Sequence, residues 1–92
     1  MENLPHFDQE GHLAARLQSP QSLEKYEKIL IGAQVKKMRL RKGLNQKQLA
    51  HKLKTTQSVI ARIETGKQNL TLRTLCGLSY IFGKRLMIGF RN

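Results

Sequence analysis

Apolar residues recur three and four positions apart along much of the chain, which predicts amphipathic helices separated by turns. The first helix is expected to begin at Ser19 and Pro20, because Ser is a good N-cap and Pro fits the first helical position. Its apolar positions are Leu23, Tyr26, Leu30, Ala33, Val35 and Leu40. The pattern continues to a stop at Gly43, but Gly32 lies in its middle and leaves open a kink or a boundary between two helices.

Two shorter helical patterns lie between Asn45 and Gly66, on either side of the break Lys54-Thr55-Thr56. Asn45 and Thr56 are suitable N-caps for the two helices, and Gly66 is suited to end the second. The apolar residues expected to face inward are Leu49, Ala50, Leu53, Ile60 and Ile63. Two short helices crossing at a tight turn, the second with a polar outer face, are what a DNA-binding helix-turn-helix requires.

A further apolar helical pattern begins near Asn69 or Leu70 and ends around Phe82-Gly83. Cys76 lies in this pattern and is the only cysteine, so no internal disulfide can form and no zinc site is indicated. We predict that its thiol is buried, as free cysteines commonly are.

The last residues of the chain change from helical to strand periodicity. Leu86, Ile88 and Phe90 occupy alternate positions of residues 84–92, which predicts a β-strand. A lone strand leaves its backbone groups unpaired and needs a partner. That partner is either the same strand of a second copy, antiparallel about a two-fold axis, or a segment near His6-Phe7-Asp8. The homodimer is favoured, because this kind of module usually reads its operator as a dimer.

The chain is short and strongly basic. Its 92 residues form one small domain with a modest core, and its net charge is +11. Residues 1–24 carry one Arg and four acidic residues, whereas residues 25–92 carry sixteen Lys or Arg and two acidic residues. This basic body, residues 25–92, favours binding to a polyanion, because each neutralised phosphate releases condensed counterions. The alternative is a solvated surface kept soluble by its charge.

These patterns divide the chain into an N-terminal arm at residues 1–18, a helical DNA-binding domain at residues 19–83 and a dimerisation strand at residues 84–92. The arm is either flexible or becomes ordered on a partner, since its short helical pattern is not stable alone. The chain has no apolar run that could span a bilayer and no signal peptide, so we expect no membrane contact and a cytoplasmic location.

Duplex DNA binding explains more of the sequence than other classes of function do. An enzyme is not indicated, because the chain has no Ser/His/Asp set, no paired carboxylates and no phosphate-cradling glycine loop. No cofactor is expected, and His6 and His12 lack the further ligands that a metal site needs. An RNA-binding domain would share the charge, but the five aromatic residues form no stacking pattern. A pure protein-interaction module would not explain the charge.

The outward side chains of the second short helix suit base recognition. They are Gln57, Ser58 and Arg62. Gln57 can pair with adenine N6 and N7, Arg62 with guanine O6 and N7, and Ser58 with a base or a phosphate. Thr56 can touch phosphate besides capping its helix. The basic residues expected to contact phosphates are Lys36, Lys37, Arg41, Lys47, Lys67 and Arg73.

Residues 31–82 resemble the Xre family of helix-turn-helix domains, of the phage repressor and Cro type. The motifs that carry the resemblance are G-L-N-Q-K-Q-L-A at 43–50, T-T-Q-S-V-I at 55–60 and I-E-T-G-K at 63–67. The resemblance implies a compact all-α fold of five helices, with helix 2 across the DNA backbone and helix 3 in the major groove. It also implies phosphate contacts from Asn45 and Gln46, and an ion pair between Arg39 and Glu64 that ties helix 1 to the end of helix 3.

One position departs from the pattern of this family. The turn between the two short helices usually contains glycine, because φ is positive there, and this chain has Lys54 instead. A non-glycine residue in that conformation costs about 1 kcal/mol or more. We therefore expect a turn that is either slightly strained or differently shaped.

The flanks of the motif resemble a narrower group, the antitoxins of the HigA and HipB kind. The resemblance lies in Ser19-Pro20 with the long helical lead-in, in T-L-R-T-L at 71–75 and in G-K-R-L-M-I-G-F at 83–90. It implies a repressor, dimeric through its C-terminal strand in HipB-like members, that binds its own operator and neutralises a toxin by contact. The implied toxin is an mRNA interferase or a HipA-type kinase. The alternative is a free-standing or prophage-type transcriptional regulator without a toxin partner.

Overall fold

Within residues 19–91 the fold is built from four α-helices that enclose a small core. The structure is a computed structural model, and it describes residues 19–91. The helices are α1 (Pro20–Arg41), α2 (Gln46–Leu53), α3 (Gln57–Glu64) and α4 (Leu72–Phe82). The predicted all-α class is confirmed. The expected count of five helices is not, because within residues 19–91 α1 is unbroken and no helix follows α4.

α1 begins where the sequence predicts and continues for 22 residues. Ser19 caps the helix, since its Oγ accepts the backbone N–H of Ser22 at 3.1 Å, and Pro20 takes the first helical position. The helix ends at Arg41, and Gly43 then takes a positive φ of 75°. Local capping chemistry therefore fixes both ends of this long helix.

Gly32 does not divide α1 into two helices. A Cβ at this position would overlap the carbonyl oxygen of Ile63 and stand 3.0 Å from the carbonyl carbon of Glu64. The backbones of α1 and the end of α3 thus approach too closely for any side chain between them. The glycine that reads as a break in the sequence is the contact point between two helices.

A tight turn joins α2 to α3 through Lys54, whose φ of 61° and ψ of 46° place it in the left-handed region. The backbone N–H of Thr55 closes the turn by donating to the carbonyl oxygen of Ala50 at 2.9 Å. Thr56 then caps α3, because its Oγ1 accepts the backbone N–H of Val59 at 3.2 Å. The turn keeps its left-handed form with a lysine in it, so the cost of about 1 kcal/mol is borne as local strain.

The core lies where the four helices meet. Its buried side chains are Val35 from α1, Leu49 and Ala50 from α2, Ile60 and Ile63 from α3, and Leu78 and Phe82 from α4. The inward face predicted for the two short helices is confirmed for four of its residues, while Leu53 is half-buried against this core. α3 is therefore anchored by its inner face, and its outer face is exposed.

α4 buries one side against the core and exposes the other. Thr71 caps the helix by accepting the backbone N–H of Thr74 at 3.1 Å, and Gly83 ends it with a φ of 64°. Leu78 is 3% exposed. Cys76 lies two residues away, about 200° around the helix, and it is exposed. The predicted burial of the Cys76 thiol is therefore wrong, because the apolar pattern did not show which side of α4 meets the core.

The C-terminal segment does not form the predicted strand in the part of the chain that the structure describes. It leaves α4 through two contacts with Ser79: the N–H of Lys84 donates to the Ser79 carbonyl at 3.0 Å, and the Ser79 hydroxyl donates to the Lys84 carbonyl. A strand is defined by its ladder with a neighbour, and this segment forms none with the rest of residues 19–91. Its exposed large apolar side chains are Met87, Ile88 and Phe90.

Two expectations concern the N-terminal arm, residues 1–18, and its pair His6 and His12; both lie outside the described residues. Among the residues that the structure describes, no cluster of three His, Cys, Asp or Glu side chains could hold a metal ion. None of the helices found there is both long and apolar enough to cross a membrane.

Candidate nucleic-acid interface

The outer side of α3 carries the three polar residues that the sequence singled out. Gln57, Ser58 and Arg62 are all exposed on this eight-residue helix. On the inner side, Ile60 and Ile63 are 0% and 1% exposed. The predicted base-reading side chains therefore project from a helix that cannot shift without opening the core.

A series of polar contacts links the interior to Gln57. Arg39 of α1 donates from Nε to Oε2 of Glu64 at 2.6 Å and from Nη2 to Oε1 at 3.0 Å, so the pair is bidentate. Gln46, the first residue of α2, donates from Nε2 to Oε1 of Glu64 at 3.1 Å. The Oε1 of Gln46 in turn accepts from Nε2 of Gln57 at 3.5 Å. The first residue of α3 is thus connected to the ion pair through one glutamine.

The ion pair itself is almost removed from water. The side chains of Arg39 and Glu64 are 8% and 2% exposed. The hydrogen bond to Glu64 raises the pKa of Arg39 above its ordinary value, against the opposite effect of burial. The guanidinium is charged at neutral pH, as that of an arginine ordinarily is. Its Nη1 also donates to the carbonyl oxygen of Leu44 at 2.8 Å, so it ties α1 both to α3 and to the loop before α2.

The start of α2 is ordered by a capping box. The Oδ1 of Asn45 accepts the backbone N–H of Gln48 at 2.7 Å, and the Oε1 of Gln48 accepts the backbone N–H of Asn45 at 2.8 Å. The side-chain oxygens of Asn45 and Gln46 are thus engaged within the protein. The donors left for a phosphate here are the side-chain amide of Asn45 and the first backbone N–H groups of α2.

Arg62 is held from the side by the loop that follows α3. Its Nε donates to Oε1 of Gln68 at 2.9 Å. The same loop returns to α3, because the backbone N–H of Lys67 donates to the carbonyl oxygen of Arg62 at 2.8 Å. The guanidinium of Arg62 therefore has a fixed neighbour before any ligand binds.

The cations expected at phosphates are all exposed, on four separate segments. They are Lys36, Lys37 and Arg41 on α1, Lys47 on α2, Lys67 in the loop after α3 and Arg73 on α4. Lys47 lines a shallow depression at the start of α2 together with Asn45 and His51. Arg41 lines a different groove, with Lys84, between the ends of α1 and α4. The structure thus brings Asn45 and Lys47 together and places Arg41 apart from them, in the second groove.

Three contributors to this surface were not expected from the sequence: Gln48, Gln68 and the contact of Gln46 with Gln57. The first has a recognisable signal, because an N-cap residue followed three positions later by Gln is the pattern of a capping box. Gln68 has none, since it lies in a polar loop outside any periodic pattern. The contact between the two glutamines depends on how α2 and α3 cross, which the sequence pattern does not specify.

Comparison with known protein families adds an independent observation. The sequence pattern of the family described as helix-turn-helix matches residues 35–86, which is more than half of the 92-residue chain. The chain belongs to the helix-turn-helix family. The matched residues begin within α1 and include all of α2, α3 and α4. No curated protein and no solved structure matches the chain.

Membership of this family, which is of the Xre type, makes the protein a DNA-binding transcription regulator. α2 and α3 are the two helices of the helix-turn-helix motif, and Lys54 occupies the turn between them. The outer side of α3 is therefore the recognition surface expected of the family. Residues 1–34 lie outside the match, so it does not bear on the antitoxin resemblance of the N-terminal flank.

Proposed function

We propose that this helix-turn-helix regulator is a sequence-specific repressor that reads duplex DNA with the outer side of α3. The observation that carries the proposal is the connection from Arg39 and Glu64 through Gln46 to Gln57. It orders a hydrogen-bonding side chain at the exposed surface before DNA arrives. Ordering in advance lowers the conformational entropy that is lost on binding, so the contact contributes more to affinity.

Two side chains of α3 supply the base contacts in this proposal. The Gln57 amide offers a donor and an acceptor to adenine, and the Arg62 guanidinium offers two donors to guanine, each pairing giving about 1–3 kcal/mol of discrimination. The five-residue step between them is about 7.5 Å along a helix, so they read different base pairs. Ser58 contacts a base or a phosphate from the next position.

Exposed cations, the capping residues of α2 and α3, and the first residue of α2 provide the contacts to the DNA backbone. They are Lys36, Lys37, Arg41, Asn45, Gln46, Lys47, Thr56, Lys67 and Arg73. Such contacts fix the register of the protein on the duplex and carry no sequence information. Each cation that neutralises a phosphate adds to the salt dependence of binding, which is how their contribution is measured.

The regulator binds as a homodimer in this proposal, with residues 84–92 of two copies paired as antiparallel strands. In the single chain Ile88 is 66% exposed and Phe90 is fully exposed. Pairing of two copies satisfies the backbone groups of the segment and covers these side chains, together with Leu86. The two α3 helices then enter successive major grooves, with half-sites about 10 base pairs apart or a multiple of that.

The proposed biological role is that of the antitoxin of a type II toxin–antitoxin pair, which represses its own operon and neutralises the toxin by direct contact. Support comes from the flanking resemblance, which includes Ser19-Pro20 and the 22-residue α1. Leu72 and Tyr80 on the outer side of α4 are 62% and 88% exposed, an apolar surface suited to a protein partner. The partner is a HipA-type kinase or an mRNA interferase.

A free-standing or prophage-type regulator without a toxin is the second candidate, because the family match accounts for DNA binding and needs no toxin partner. Co-expression of the tagged chain with the adjacent reading frame distinguishes the two. Stoichiometric co-purification of the neighbouring product, with loss of its toxicity, is expected for an antitoxin. A neighbour that neither binds nor is toxic would favour the free-standing regulator.

Selection from a random pool of DNA duplexes tests the reading of DNA. The full chain should enrich one sequence that contains two inverted half-sites, about 10 base pairs apart or a multiple of that. Retention of duplexes without any common sequence would contradict sequence-specific recognition. Enrichment of a single half-site would contradict the dimer.

A further inference from the structure

We infer that Gln68 is a positioning residue for Arg62 and determines which edge of its guanidinium faces the DNA. The side-chain amide of Gln68, in the loop after α3, lies against Arg62: its Oε1 accepts a hydrogen bond from Nε of Arg62 at 2.9 Å. The inference rests on the proposed reading of bases by α3. It gives Gln68 an influence on base preference that it exerts through Arg62 and without a base contact of its own.

The hydrogen bond between Arg62 and Gln68 matters because a guanidinium can present more than one edge to a base. Arginine presents five N–H donors in a rigid fork, and guanine O6 and N7 are paired by two parallel donors. Two edges of the fork can supply such a pair: the two terminal nitrogens, or Nε with one terminal nitrogen. Because Gln68 occupies Nε of Arg62, the edge formed by the two terminal nitrogens is the one left for guanine.

The loop that carries Gln68 begins at a tightly fitted glycine. Gly66 has a φ of 74°, and a Cβ there would stand 2.8 Å from Cγ1 of Ile29 and 3.0 Å from its Cα. The loop backbone is therefore pressed directly against α1, in a conformation that side chains rarely adopt. This contact fixes where the loop leaves α3.

Further contacts hold the loop on both sides of Gln68. Before it, the backbone N–H of Lys67 donates to the carbonyl oxygen of Arg62 at 2.8 Å. After it, Nζ of Lys28 on α1 donates to Oδ1 of Asn69 at 3.2 Å. The amide of Gln68 thus stands on a loop anchored at both ends, so α1 orients Arg62 through that loop.

A neutral amide suits this position next to DNA. A glutamate at residue 68 would accept the same hydrogen bond from Arg62, but its negative charge would repel the nearby phosphates. We therefore expect Gln68→Glu to preserve the orientation of Arg62 and to weaken binding to all sequences alike. Gln68→Ala removes the acceptor and should affect the base preference itself.

The test measures binding to four duplexes that differ at one base pair. The starting probe is the duplex that the wild-type chain enriches from a random pool. In this duplex, the base pair at which Arg62→Ala abolishes the preference is changed to each alternative. Gln68→Ala should lower the preference for guanine there by about three- to tenfold, the effect of losing one hydrogen bond, with the salt dependence unchanged. In an Arg62→Ala background the same substitution should change nothing further.

Two variants serve as controls. Gln21→Ala removes an exposed glutamine in the first turn of α1 and should leave the base preference intact. Gln68→Glu should retain the preference for guanine while binding every duplex more weakly. Thermal unfolding of Gln68→Ala should match the wild type, because residue 68 lies outside the core.

Several results would overturn the positioning role. It would be wrong if Gln68→Ala kept the full guanine preference, if it weakened all four duplexes equally, or if Gln68→Glu lost the preference as Gln68→Ala does. In these cases the reading of guanine by Arg62 would still stand. If Arg62→Ala altered no base preference at all, the base contact proposed for Arg62 would be wrong, and the role of Gln68 would be wrong with it.

Discussion

The carboxylate of Glu64 joins three helices at one point. From the end of α3 it accepts hydrogen bonds from Arg39 of α1 and from Gln46 of α2. Because the Glu64 side chain is 2% exposed, these partners rather than water compensate its charge. This explains why one of the two acidic residues among residues 25–92 lies at the end of α3, the helix that we propose reads bases.

Removal of this carboxylate should be costly. Glu64→Ala leaves the Arg39 guanidinium buried without its ionic partner, so we expect the free energy of unfolding to fall by about 3–5 kcal/mol. Urea unfolding followed by circular dichroism measures this loss. Since small domains are stable by about 5–15 kcal/mol, this loss is a large share of the total stability.

The matched control is a more exposed ion pair in the same chain. Oε2 of Glu24 lies 3.4 Å from Nζ of Lys28 on the surface of α1, and the Glu24 side chain is 61% exposed. Glu24→Ala should change the free energy of unfolding by less than about 1 kcal/mol. Similar losses in the two variants would contradict the structural role of the buried pair.

Roles that depend on near neighbours in the sequence were predictable, and those that depend on packing were not. Ser19, Asn45 and Thr56 cap their helices as predicted, because a capping residue bonds a backbone N–H three positions away. The exposure of Cys76 and the hydrogen bond from Arg62 to Gln68 depend on how helices and loops approach one another. No local pattern carries that information.

The packing of α1 on α3 depends on close backbone contact. Gly32 meets the carbonyl oxygen of Ile63, and Gly66 meets the backbone of Ile29. Side chains at either glycine would push the two helices apart. Because α3 also carries Gln57 and Arg62, this contact sets the position of the two side chains that we propose read bases.

Gly32→Ala should therefore destabilise the fold although alanine is the better helix former. Overpacking typically costs about 1–3 kcal/mol, and relief of the glycine in α1 offsets at most about 1 kcal/mol of that. We expect a net loss in the free energy of unfolding, measured by urea titration, together with weaker DNA binding as α3 is displaced.

Gln34→Ala provides the control, since Gln34 is exposed on the same helix, two residues from Gly32. Its free energy of unfolding should remain within about 0.5 kcal/mol of the wild type. A Gly32→Ala variant more stable than the wild type would show that the two helices are not in the close contact described.

Some parts of the architecture depend on contacts between distant segments, so the sequence pattern could not predict them. The low helix propensity of Gly32 suggested a break, whereas tertiary packing keeps α1 continuous. The alternation of Leu86, Ile88 and Phe90 predicted a strand, but a ladder requires a neighbouring segment. The helices themselves were predictable, because their apolar periodicity and caps agree with each other.

At the scale of the whole molecule, a basic body contains the helix-turn-helix, and a C-terminal segment with exposed Met87, Ile88 and Phe90 leaves it. Deletion of residues 84–92 should convert the proposed dimer into a monomer, because the strand that pairs the copies is removed. Sedimentation velocity should show the full chain as a dimer and the truncated chain as a monomer of unchanged helical content. The core residues all lie before residue 84, so the truncated chain should remain folded.

A truncated chain that still sediments as a dimer would contradict the pairing of strands. The exposed side of α4, with Leu72 and Tyr80, would then be the surface to examine for the dimer contact. Loss of the second half-site contact should also lower DNA affinity in the monomer, while the preference at each base pair should persist, because α3 is unchanged.

The reading of bases by α3 is tested most directly by the affinity of Gln57→Ala for the enriched duplex and its single-base variants, beside Lys47→Ala. Gln57→Ala should lose about 1–3 kcal/mol of discrimination at one base pair with the salt dependence unchanged. Lys47→Ala should weaken binding to all sequences alike and reduce the salt slope by about one. Discrimination that is unchanged in Gln57→Ala would contradict recognition by this face of α3.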